Sequence, residues 1–163
     1  MATKPDFTPE QWRKLLEAPL LVGFAVSAAA PSGLIGTLLE SMASADALAA
    51  ARSDASELVR AVVDDLLTAE GRTAARTGVQ RLIEGAELSE VKSRALAHLG
   101  EAARIVDAVA PGEAAAFKNW VAQIAACVVG AAAEGGFLDL IGGESVSAAE
   151  RTALLEIDAA LLR

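Results

Sequence analysis

Apolar residues recur along most of this chain at helical spacing, and no stretch alternates in the two-residue rhythm of a strand. Leu58, Val62, Val63 and Leu66 form one such stripe and predict a helix near 54–67. Val79, Leu82 and Ile83 form another, in a helix that begins at Thr68-Ala69-Glu70-Gly71 and ends near Gly85. Val91, Ala95, Ala102, Ile105 and Val109 mark a longer helix over 90–109, with Ser89 as its cap. At the front of the chain, Thr8-Pro9-Glu10-Gln11 supplies an N-cap, a proline at the first helical position and a glutamine that closes a capping box. Trp12, Leu15 and Leu16 share one side of that first helix. Pro19 is expected to kink or restart it, because proline lacks an N–H and its ring clashes with the preceding turn. Pro111 opens a helix over 111–134, which Gly135-Gly136 stop, and Ser147-Ala148-Ala149-Glu150 caps a last helix to about Leu162.

Two segments, 19–30 and 119–133, carry no charge and read as apolar all round, the pattern of buried helices. Gly23 and Ser27 in the first allow close backbone contact with a neighbour, and in the second Trp120, Ile124 and Val128 are expected to face inward. The two segments also belong to an internal repeat. Val26 to Leu34 lies over Val129 to Phe137, and the same gap-free offset places Ser44-Ala45 over Ser147-Ala148. Each copy reads as an Ala-rich helix, a glycine break, a loop and a serine start signal; after the first break, Leu34, Ile35, Leu38 and Leu39 suggest a short helix. The expected fold is therefore all-α: a single compact bundle of seven or eight helices with a pseudo-twofold repeat of about 17–48 and 117–162, wrapped by the middle helices. Residues 1–7 read as a loose tail and 8–163 as one all-helical domain.

Composition sharpens this reading at a few points. Aromatic residues are 4% and tyrosine is absent, while alanine, the best helix former, inflates the apolar share. A net charge of -8 argues against nucleic acid and against an anionic membrane surface, and is compatible with cations or basic partners. Cys127 is the sole cysteine, so no internal disulfide forms; a buried, inert thiol and a cytoplasmic home are expected. The uncharged run Ala18–Leu39 raises a signal peptide or a membrane span, but Pro31-Ser32-Gly33 divides it into pieces too short to cross a bilayer, and Glu17 interrupts its start.

Candidate chemistry is sparse. Dinucleotide, phosphate-loop, zinc and nucleophile-elbow motifs are missing from the sequence. His98, the sole histidine, reads as a boundary residue with a local hydrogen bond rather than a catalyst. Arg60, Arg72, Arg76 and Arg81 are interleaved with acids, so no basic stripe forms along the chain. The second repeat loop offers carboxylates around glycines. Glu134 and Asp139, with Glu144 as a third donor, could hold a hard cation such as Ca2+ or Mg2+, while Glu150 serves the capping box. The alternative is that these carboxylates are solvated and the loop is a connector or a partner-binding surface.

The segment Ala131-Ala132-Ala133-Glu134-Gly135-Gly136-Phe137 through Val146-Ser147-Ala148-Ala149-Glu150, followed by Leu154-Leu155 and Ile157, resembles the TerB-like tellurite-resistance family. Its pattern is an Ala-rich helix, an acidic glycine-containing loop, a Val/Ile-Ser-x-x-Glu helix start and a leucine/isoleucine helix, twice over. In this chain the acidic loop is reduced to Glu134-Gly135-Gly136, and the first copy has Pro31-Ser32-Gly33. The resemblance implies an all-helical pseudo-twofold fold, divalent-cation binding in the loops and a role in stress resistance near the membrane. It leads to a cytoplasmic, non-enzymatic accessory protein that binds a protein partner or a divalent cation. The alternatives are a small-molecule-binding or enzymatic helical domain with a pocket between the repeat copies, and a membrane-associated helical protein; homo-oligomerisation stays open.

Overall fold

The structure, a computed structural model, describes residues 2–27, 56–135 and 148–162. Six α-helices and one short 3-10 turn make up the described residues, with no strand among them. The turn covers Lys4–Asp6; the helices are α1 (Pro9–Ser27), α2 (Glu57–Leu66), α3 (Ala69–Ile83), α4 (Leu88–Val109), α5 (Pro111–Gly135) and α6 (Ala148–Leu161). The short helix expected after Gly33 and the start signal at Ser44 lie outside the described residues.

Local sequence sets these boundaries. Thr8 Oγ1 accepts a hydrogen bond from the Gln11 N–H at 3.2 Å, and Gln11 Oε1 accepts one from the Thr8 N–H at 2.9 Å, which closes the capping box of α1. Thr68 caps α3 by accepting from the Gly71 N–H at 2.9 Å. Ser56 caps α2 by accepting from the Val59 N–H at 3.2 Å, and its hydroxyl donates to Glu113 Oε2 at 2.6 Å, tying α2 to the first turn of α5. That hydrogen bond, opposed by burial, holds the Glu113 carboxyl below the usual carboxylate range. One boundary differs from expectation. α4 begins two residues earlier than Ser89 would place it, with Glu87 at the N-cap and Glu90 returning to it. Gly85 follows α3 with φ +67°, a left-handed conformation that glycine adopts without strain.

α1 is the centre of the molecule and packs against each of the other five helices. Leu15, Leu16, Ala18, Leu21, Val22, Ala25 and Val26 are all buried, so the helix meets protein on every side. Pro19 lies inside this continuous helix and does not restart it. Proline removes one backbone donor, but packing by neighbours on all sides holds the helical path. α5 packs against α1, as the two uncharged segments suggested. α5 is not buried all round, however. Trp120, Val121, Ala125, Val128 and Val129 are buried, Ile124 is half-buried, and Gln123, Ala126 and Cys127 are exposed. The thiol is therefore at the surface, not in the core.

Residues 2–7 do not hang free. Ala2 and Phe7 are buried, and Phe7 packs on Trp12 with ring centroids 5.6 Å apart. Trp12 Nε1 donates to Asp65 Oδ2 at 2.7 Å, and Lys4 Nζ reaches the same oxygen at 2.9 Å. Among the described residues no helix is long and apolar enough to cross a membrane.

Candidate anion-binding cleft

Glu17 is the one acidic side chain in the core among the described residues, with 2% of its surface exposed. An ionised carboxylate in that position is costly unless basic or donor groups surround it. Two do. Arg13, one turn earlier on α1, places Nε 3.1 Å from Glu17 Oε1, and His98 of α4 places Nε2 2.7 Å from Glu17 Oε2. The His98 ring nitrogen is buried and has no aligned hydrogen bond, so the contact with Glu17 is close but not ideally directed. The third wall is α3. A Cβ on Gly78 would lie 1.6 Å from Glu17 Oε1, so the carboxylate occupies the space that any other residue would fill.

Around this cluster the three helices leave a cleft of about 440 Å³, lined by Arg13, Lys14, Glu17, Gly78, Arg81, Leu82, Arg94, Ala97, His98 and Glu101. The residues Arg94, His98 and Glu101 recur at helical spacing on α4, which puts them on one face. Lys14 Nζ sits 2.5 Å from Glu101 Oε2, and Arg94 Nη1 donates to the Leu82 carbonyl at 3.0 Å. The Lys14 hydrogen bond, working against partial burial, holds the Glu101 carboxyl below its ordinary range; the charges of Lys14, His98 and Arg104 add to it. Arg81 makes no ion pair among the described residues. A second hollow of about 550 Å³ adjoins the first and shares Arg13, Gly78 and Arg81 with it.

The cleft lining is thus net basic in a protein of net charge -8: Arg13, Lys14, Arg81 and Arg94 face two carboxylates, Glu17 and Glu101, and Arg94 also pairs with Glu90, one turn earlier on α4, at 3.7 Å. A concave wall of one charge sign focuses field lines and gathers counter-ions of the other. No linear reading shows it, because the four cations come from three helices. His98 does take a charged partner, but across the fold instead of locally. The cleft lies between α1 and the middle helices α3 and α4.

Of the residues expected to bind a cation, Glu134 falls at the end of α5 with its side chain outside the described residues; Asp139 and Glu144 lie outside them altogether. Among the described residues no group of three or more His, Cys, Asp or Glu side chains could hold a metal ion. A scan against protein-family models finds no match to this chain, and neither do searches of curated proteins and of solved structures.

Proposed function

We propose that this protein is a helical binding domain that takes a small anionic molecule in the cleft between α1, α3 and α4. The observation that carries the reading is the concentration of Arg13, Lys14, Arg81 and Arg94 around one concave surface of an otherwise acidic chain. Arginine suits the role: its planar fork matches carboxylate and phosphate oxygens and stays charged at all working pH values. Glu17 has a structural part in this reading. It anchors Arg13 through Nε and leaves the two terminal guanidinium nitrogens for a ligand. The test is calorimetric titration of the protein with inorganic phosphate at low ionic strength. Binding that weakens as salt is added, and by about tenfold or more in Arg81→Gln, is the expected result. Wild-type protein that gives no heat with phosphate or any other small anion would refute it.

Other readings of the sequence stand beside this one as separate proposals. The repeat copies at about 17–48 and 117–162 are read as halves of a pseudo-twofold bundle of seven or eight helices. The TerB-like resemblance assigns Glu134, Asp139 and Glu144 to a Ca2+ or Mg2+ site in a cytoplasmic accessory protein with a protein partner.

A further inference from the structure

We infer that the ligand of this cleft is a phosphomonoester carrying a short hydroxylated body, with its phosphate between Arg13 and Arg81 and its body in the adjoining hollow. The inference rests on the anion-binding reading above. Three observations place the phosphate. Arg13 and Arg81 line both hollows, and each has donors to spare: Arg13 commits only Nε, to Glu17, and Arg81 has no ion pair among the described residues. The other two cations are engaged, Lys14 by Glu101 and Arg94 by Glu90 and the Leu82 carbonyl. Gly78 lines both hollows with these two arginines, and its missing side chain leaves the space that the Glu17 carboxylate fills as it holds Arg13 in place. Arginine forks arriving from two helices suit a tetrahedral group with three terminal oxygens better than a planar carboxylate, which one fork saturates. The charge agrees in sign: across the two hollows four cations face three carboxylates, Glu17, Glu70 and Glu101, and a phosphomonoester carries a charge of about -1.5 to -2 at neutral pH.

The second hollow specifies the body. Beyond the two shared arginines it is lined by Ala69, Glu70, Thr73, Ala74 and Thr77. Among the described residues it holds no further cation, so one acidic group per ligand is enough. Thr73 turns its hydroxyl back to the Ala69 carbonyl at 2.8 Å, whereas Thr77 commits its hydroxyl to no partner among the described residues. The Thr77 hydroxyl and the Glu70 carboxylate present a donor and acceptors to a body with its own hydroxyls, over a small apolar floor of alanines.

Calorimetry with four probes tests this: glycerol 3-phosphate, inorganic phosphate, acetate and glycerol. Glycerol 3-phosphate should bind about fivefold or more tighter than inorganic phosphate, and inorganic phosphate about tenfold tighter than acetate, with no heat from glycerol. Thr77→Val should narrow the first ratio toward one and Thr77→Ser should restore it, with unchanged unfolding midpoints. Equal affinity for glycerol 3-phosphate and inorganic phosphate would overturn the assigned body and leave anion binding standing. Equal affinity for acetate and phosphate would overturn the phosphate assignment in the same way. If none of the four binds, both this inference and the anion-binding reading fail.

Discussion

Glu17 of α1 and His98 of α4 meet at 2.7 Å in the core, and together with the Lys14–Glu101 pair this contact joins the central helix to the wall of the cleft. Removing His98 leaves the buried Glu17 carboxylate with Arg13 alone, which is worse than removing both members of the pair. His98→Leu should therefore lower stability by about 3 kcal/mol in urea unfolding. The double change Glu17→Met with His98→Leu should recover most of that loss. A double variant no more stable than His98→Leu alone would show that the pair contributes little.

Gly78→Ala offers a change of sign. In an ordinary helix interior this substitution stabilises by up to about 1 kcal/mol, since glycine is a poor helix former. Here the new Cβ would fall 1.6 Å from Glu17 Oε1, and the carboxylate must give way. The expected outcome is a net loss of about 1–3 kcal/mol in wild type. In a Glu17→Ala background the clash is gone, and the same change should stabilise. Identical effects in both backgrounds would contradict the placement of Glu17 against Gly78.

Asp65 ties stability to pH. Burial raises its carboxyl pKa, but hydrogen bonds from Trp12 and Lys4 outweigh this, and the net shift is downward from 3.8. A folded-state pKa below the unfolded one gives stability that is present above the unfolded value and lost as pH falls through the folded value. Trp12→Phe removes the 2.7 Å hydrogen bond, so the Asp65 pKa should move back upward and the loss of stability with acid should become shallower. An unchanged acid limb in that variant would assign the pH dependence to other groups.

The exposed side of α5 makes a packing prediction. Phe117 is fully buried, whereas Ile124 is half-buried. Phe117→Ala should cost about 3–5 kcal/mol and Ile124→Ala less than about 2 kcal/mol. The reverse order in denaturant titration would mean that α5 is rotated about its axis.

The proposed cation site has its own expected outcome. Millimolar calcium or magnesium should raise the melting temperature, because a ligand bound only by the folded state stabilises it by mass action. Glu134→Gln with Asp139→Asn should abolish the rise. A wild-type melting curve that ignores both cations removes the proposal without touching the α1/α3/α4 cleft.

Much of the helical framework is legible in the sequence because its signals are local. Thr8-Pro9-Glu10-Gln11, Thr68 and Pro111 each mark a helix start within a few residues, and Leu58, Val62, Val63 and Leu66 mark a buried face by spacing alone. The orientation of α5 is harder to read. Ile124 and Cys127 sit on a helix with few polar residues to mark the outside, so periodicity constrains its rotation poorly. The cleft is legible least of all. Glu17, His98, Arg13 and Arg81 are unremarkable one by one, and only the packing of α1 against α3 and α4 brings them together. A glutamate with no polar neighbour at positions 15–16 or 18–26, in a stretch otherwise fit for the core, was the available hint that a basic partner waited elsewhere in the chain.

A small anion bound between α1, α3 and α4 would perturb the backbone amides around it, so a two-dimensional amide NMR titration of the full chain with inorganic phosphate reports on it residue by residue. Saturable shifts should cluster at Arg13, Glu17, Gly78, Arg81 and His98, and shrink sharply in Arg81→Gln. Saturable shifts confined to other surfaces, or none in this cleft at phosphate concentrations up to about 10 mM, would contradict binding there.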